Sequence, residues 1–182
     1  MRGQWVVHGE RVVYDSPWVS LALADVTTAD GRRIAEHHVV RAPLQAAGCV
    51  VHDAAADAVL LIWRHRFITG SWGFEVPAGR AEPGESMVDA AAREVLEETG
   101  WRPVGPLRLL VRWHPSQGLI DQTFTAYAAA GARREGAPSD PSEAARVEWV
   151  AVPEVCRLLD AGAVLDGLTL VALLSWLRGR SG

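Results

Sequence analysis

The chain predicts an α+β or α/β protein: an α/β/α sandwich around a mixed sheet, preceded by an antiparallel strand subdomain. Three observations predict it. Short runs rich in Val, Trp and Thr recur from Gln4 to Arg64, a capped amphipathic helix follows between Ser86 and Gly100, and two apolar helices come after Pro153. Strands, then a helix, then further helices fit a sheet covered on both faces. At 182 residues the chain is long enough for a substantial core.

Gln4 to His8, Arg11 to Tyr14 and Trp18 to Thr28 read as strands from their β-branched and aromatic content. Asp30-Gly31 is a hairpin signal before a fourth, Arg32 to Arg41. Pro43 ends this section, so residues 1–42 are expected as an antiparallel subdomain and residues 43–182 as a second domain. A few strands with little helix bury little alone. This subdomain is therefore expected to pack against something, its own domain among the alternatives. Gln45 to His52 and Ala58 to Arg64 continue the strands around a turn at Asp53 to Asp57. Val104 to His114, Thr123 to Ala130 and Arg146 to Val152 complete them, while Gly131 to Glu143 reads as a polar surface loop. Pro153 opens a helix to Asp160, Gly162 breaks it, and Asp166 to Arg178 forms the last.

The net charge of −4 and pI of 5.8, with both signs interspersed, leave no footprint for nucleic acid or an anionic membrane. Cys49 and Cys156 lie in apolar runs without metal-ligand spacing and read as buried thiols of a reducing compartment. MRGQWVVHGE lacks a signal core and no apolar run reaches about 18 residues, so a cytoplasmic location is expected. His37, His38, His65 and His114 lack metal-ligand spacing.

The central helix carries the chemistry. Ser86 is placed to cap it, Asp89 suits the positive end of its dipole, and Gly100 stops it. At about 100° per residue, Val88, Ala91, Ala92, Val95, Leu96 and Thr99 share one arc, and Arg93, Glu94, Glu97 and Glu98 the other. Carboxylates three and four residues apart repel. They read either as a solvated acidic face or, beside a Gly- and Pro-containing loop, as oxygen ligands for a hard divalent cation.

Gly79, Glu85, Arg93, Glu94, Glu97, Glu98 and Gly100 match every fixed position of G-x5-E-x7-R-E-U-x-E-E-x-G-U, with Val95 in the first apolar slot and Trp101 in place of the usual aliphatic last residue. This stretch resembles the Nudix box. The lead-in from Trp72 to Gly79 resembles the W-x-x-E-x-P-A-G of ADP-ribose pyrophosphatase-type Nudix enzymes, in which an N-terminal antiparallel sheet commonly helps form a homodimer. The resemblance implies hydrolysis, with Mg2+ or Mn2+, of the diphosphate in a nucleoside diphosphate derivative, with ADP-ribose or another nucleotide sugar as the leading substrate. GDP-mannose, a CDP-alcohol or a dinucleoside polyphosphate is the runner-up. A non-catalytic nucleotide sensor is the third reading; such proteins typically append a basic DNA-binding domain, for which about 30 residues after the last strand are too few.

By position in the box, Glu94 and Glu98 are the expected metal ligands, with Glu97 next and the Ala78 carbonyl added by resemblance. Arg93 and Glu85 are expected to pair and fix loop against helix. Arg41, Arg64 and Arg66 are candidates for substrate phosphates, and Trp18 and Trp72 for stacking a base. Related enzymes carry a glutamate base in a loop after the box. Here that position is Gln122, which accepts no proton at neutral pH. Asp121 or Glu97 is left to activate the water.

Overall fold

A computed structural model of the protein describes residues 3–139 and 145–180. The chain divides into two compact units, one of Met1–Gln45 with His114–Thr123, the other of Ala46–Trp113 with Phe124–Gly182.

The first unit is an antiparallel sheet of β1 (Val6–Asp15), β2 (Ser20–Thr27) and β3 (Arg33–Arg41) in that order. The two short strands expected at Gln4 to His8 and Arg11 to Tyr14 are one. The chain runs through Gly9 by shifting register between Val7 and Gly9 and again between Val12 and Tyr14, as bulges allow. Between β2 and β3, Gly31 takes φ 90°, which favours glycine. The middle strand buries alternate residues Ala22, Ala24 and Val26, whereas β1 is exposed throughout. His114–Thr123 joins this unit through the Val40 N–H, which donates to the Leu119 carbonyl at 2.8 Å, and a parallel bridge from Val40 to Ile120.

The second unit is built on a mixed sheet. Its order is β12 (Arg146–Ala151), β5 (Ala58–Arg66), β4 (Ala46–Asp53), β10 (Phe124–Ala129), β9 (Arg108–Trp113), with β6 (Ser71–Glu75) on β5 and β7 (Ala78–Arg80) on β4. β10 runs parallel to β4, and the other pairings are antiparallel. The two-residue period of a strand sends neighbours to opposite faces. Cys49, Val51, Leu60, Tyr127 and Ala129 therefore meet Ala90, Ala91 and Val95 of α1 (Met87–Thr99). On the other face, Val50, Val59, Leu61, Ala126 and Ala128 meet Val155 of α2 (Val152–Asp160) and Leu168, Ala172, Leu173 and Trp176 of α3 (Gly167–Arg178). The strands are apolar on both faces because both are covered.

α1 is capped as the sequence predicts: the Ser86 hydroxyl accepts from the Asp89 N–H, and Gly100 ends the helix at φ 73°. Its buried face differs from the expected arc. Ala91, Glu94, Val95 and Glu98 follow the i, i+3, i+4, i+7 stripe and are buried, while Val88 is exposed. Two further differences concern strands. The strand expected at Val104 to His114 is shorter, β9 (Arg108–Trp113), and an unexpected β8 (Trp101–Pro103) precedes it on the other side of Gly105, which takes φ 69°. The expected loop from Gly131 contains β11 (Ala132–Arg134), paired with β8; residues 140–143 of that loop lie outside the described residues. Cys49 and Cys156 are free thiols, and burial raises the Cys49 pKa to about 12. Among the described residues no helix is long and apolar enough to cross a membrane.

β4, β7 and α3 meet closely at Gly48. A Cβ there would lie 2.7 Å from Leu168 Cδ2 and 2.8 Å from Ala78 Cβ. Overpacking of a core costs about 1–3 kcal/mol, so Gly48→Ala is expected to lower the urea midpoint by that energy without changing the slope of the transition.

Candidate active site

α1 delivers three carboxylates to one region, and each is held differently. Glu98 is only 1% exposed. Its Oε1 accepts from Arg64 Nη1 at 2.9 Å and its Oε2 from the Ala78 N–H at 2.9 Å. A carboxylate this deep requires a charged partner and further hydrogen bonds. Glu94 lies against the backbone of Gly79, where a Cβ would come within 2.2 Å of its Oε1. Glycine there is a matter of close approach. Arg93 Nη1 donates to Glu94 Oε1 at 2.8 Å and to Glu97 Oε2 at 2.7 Å. Glu97 is the open one of the three, its side chain 44% exposed against 11% for Glu94.

The rest of the Arg93 guanidinium faces the loop. Nε and Nη2 donate to the two oxygens of Glu85 at 2.9 and 3.0 Å, and Nη2 also donates to the Arg80 carbonyl at 2.9 Å. This fork ties loop to helix, while Nη1 bridges the two otherwise repelling carboxylates of Glu94 and Glu97. The Arg93 hydrogen bonds hold the Glu85 pKa below its ordinary 4.5, and Glu85 in turn raises that of Arg93. Because the folded pKa is the lower one, the clamp contributes stability above pH 4.5 and loses it as pH falls through the depressed value. Glu85→Gln is expected to flatten the dependence of the melting temperature on pH below 4.5, measured against the parent protein.

A second cluster lies on the β5–β6 hairpin. The register pairs Ile62 with Glu75, Arg64 with Gly73 and Arg66 with Ser71, so Arg64, Arg66 and Glu75 share one face. Glu75 is 4% exposed and accepts from Arg66 Nε and Nη2 at 2.9 and 2.6 Å. Arg64 Nη1 lies 3.8 Å from Glu75 Oε2, so Arg64 stands between Glu75 and Glu98. The pair with Glu75 raises the Arg66 pKa. Arg64, expected on substrate phosphates, is 6% exposed and directed at Glu98; Arg66 keeps half its side chain in solvent. Glu75 escaped the sequence reading although it is the glutamate of the W-x-x-E lead-in. Its signal was the alternation Arg64, Arg66 facing Glu75 across a hairpin.

The remaining candidates fall into two places. Trp72 is half-exposed on β6, stacked on Trp63 with centroids 6.2 Å apart. Trp18, Arg41 and Asp121 belong to the first unit. Trp18 is exposed, and Arg41 donates to Glu10 and, through Nη1, to Asp121 Oδ2 at 3.2 Å. Asp121 Oδ1 accepts from the Ala42 N–H at 2.9 Å, and Gln122 Nε2 donates to the Leu44 carbonyl at 3.2 Å.

Among the described residues, no three His, Cys, Asp or Glu side chains converge on one point for a metal ion. The box carboxylates turn instead to Arg64 and Arg93. The residues nevertheless fit a hard divalent cation. All their donors are oxygens, and Glu94 lies in a cradle beside the Ala78–Gly79 peptide that a Cβ would fill.

Residues 42–170 match the NUDIX domain family, and residues 5–40 match the nucleoside diphosphate sugar hydrolase N-terminal domain. The chain is 37% identical over 172 residues to CMP-5'-(N-acetyl-N-hydroxy-3-aminopropyl)phosphonate hydrolase of Streptomyces rubellomurinus, covering 94% of this chain and 82% of the relative. It is 24% identical over 163 residues to an ADP-ribose pyrophosphatase of Bacillus subtilis, covering 88% and 86%. Its fold superposes on a crystal structure of an ADP compounds hydrolase with a TM-score of 0.83 at 20% identity, over 97% of this chain and 96% of the other. With more than half its length matched by the family and a relative this similar along nearly all of it, the chain belongs to the Nudix family and is a hydrolase of nucleoside diphosphate derivatives.

Proposed function

We propose that the site splits the P–O–P bridge of ADP-ribose or another nucleotide sugar with water, using Mg2+ or Mn2+. One observation carries this reading: three glutamates a helical turn apart, two of them buried, set against the backbone of β7. Glu94, Glu98, Glu97 and the Ala78 carbonyl would hold the cation. When bound, it supplies charge neutralisation at the diphosphate oxygens and acidifies water.

The chain's own groups do the rest. Arg66, half in solvent and oriented by Glu75, binds a phosphate oxygen through its open edge. Arg64 positions Glu98 rather than touching substrate. Glu97, the most exposed of the three, takes the proton from the water that attacks phosphorus, and the bridging oxygen leaves with the other phosphoryl group. Asp121 is engaged by Arg41 and the Ala42 N–H, which favours Glu97 as the base. Arg93 and Glu85 hold the loop in register with α1. Trp18 and Arg41, of the expected subdomain of residues 1–42, are proposed as substrate contacts. The exposed Trp5, Val7, Val12 and Tyr14 of that subdomain support a homodimer.

A second reading has a CMP-linked compound as the substrate. It is favoured by the relative that is 37% identical and acts on a CMP-linked phosphonate. A panel of ADP-ribose, CDP-linked and GDP-linked compounds with Mg2+, products identified by mass, separates the readings. AMP with ribose 5-phosphate is the expected outcome for the first, CMP release alone for the second. No turnover of any compound in the panel would overturn both substrate assignments.

A further inference from the structure

Among the described residues β6 pairs only with β5, and beside its other edge a cleft of about 560 Å³ reaches across to the turn that leads into α3. Its charged lining residues are Arg66, Glu75 and Asp166, and its large apolar ones are Ile68, Trp72 and Leu165. The cleft adjoins the box carboxylates, since Glu75 lies beside Arg64 and Arg64 is bonded to Glu98. Ile68 and Leu165 are 84% and 64% exposed. Singly such residues are ordinary; gathered in one concavity beside an arginine they mark a ligand site of nucleoside size.

Two carboxylates against one guanidinium make the cleft unfavourable for a second anionic group. A neutral flat ring suits it, with the phosphates outside on the exposed part of Arg66. Asp166 uses one oxygen to cap α3 through the Thr169 N–H at 2.7 Å, and its other oxygen makes no hydrogen bond among the described residues. That oxygen is an acceptor for an exocyclic amine. At Gly73, which also lines the cleft, an added Cβ would meet nothing within 4 Å, so a flat ring can approach the strand edge there.

We propose that this cleft is the nucleoside subsite, holding an amino-bearing base such as adenine or cytosine with its amine on Asp166. The assignment rests on the hydrolase reading for its substrate class. Gly73→Val fills the cleft, and the backbone there is outside the left-handed region. The variant is expected to weaken binding of AMP or CMP, read by calorimetry without turnover, and to raise the KM for the corresponding substrate, each by about tenfold or more, as loss of a stacked base does. Unchanged dissociation constant and KM would overturn the assignment. Should Gly73→Val not fold, Asp166→Asn keeps the helix cap. It is expected to erase the preference for CMP over UMP and AMP over IMP, and a preserved preference overturns the proposal. A parent protein that binds AMP or CMP through the cleft but hydrolyses nothing removes the hydrolase reading alone; one that hydrolyses, with Gly73→Val binding as before, removes the cleft alone.

Discussion

Glu98→Gln is expected to lower kcat by about a thousandfold on every nucleotide tested, because several kcal/mol of transition-state stabilisation leave with a cation ligand and each 1.36 kcal/mol is tenfold. The side chain keeps its length and one oxygen but loses its charge. Arg64, almost wholly buried, then faces a neutral amide. Breaking a buried ion pair costs up to about 3–5 kcal/mol, so a lower melting temperature accompanies the lost rate. Kinetics measured well below the transition separate the two effects. A kcat loss shared by all substrates marks a group acting at the diphosphate; a loss confined to KM would place Glu98 in substrate affinity only.

Gly79→Ala isolates position from stability. The added methyl would come within 2.2 Å of Glu94 Oε1 and 2.3 Å of its Cδ, so the carboxylate must move. What moves is the far end of a flexible side chain, and Gly79 is outside the left-handed region, so the fold adapts at little cost. Displacing a catalytic group by about 1 Å can cost 10²-fold. The expected result is a fall in kcat of about a hundredfold, with a melting temperature within about 4 °C of the parent. A full rate with the methyl in place would mean that Glu94 need not lie where the structure puts it.

What was legible in the sequence was local. Ser86, Asp89 and Gly100 announce their helix by capping chemistry, and the spacing of Glu94, Glu97 and Glu98 announces a shared face. Near-continuous apolar runs around Val50, Leu60 and Tyr127 belong to strands covered on both sides. What was not legible depends on partners distant in the chain. By spacing alone Glu94 and Glu98 fall on the polar arc, and nothing near Glu98 in the chain shows that Arg64, thirty-four residues before it, meets it inside. Glu75 becomes informative only when the β5–β6 register sets it on the same face as Arg64 and Arg66. β11 is three residues long and exists by pairing with β8, which a polar stretch cannot reveal. The grouping of His114–Thr123 with β3 rests on backbone bonds to Val40, to which side-chain pattern is blind.

The most direct test of the central claim is a Mn2+ titration followed by electron paramagnetic resonance, with the parent protein, Glu98→Gln and Glu94→Gln, each with and without AMP. We expect the parent to bind the ion, more tightly with nucleotide present, and both variants to lose that binding while remaining folded. Equal Mn2+ binding in all three proteins, or none in the parent at concentrations where it turns over substrate, would contradict the assignment of the α1 carboxylates to a divalent cation.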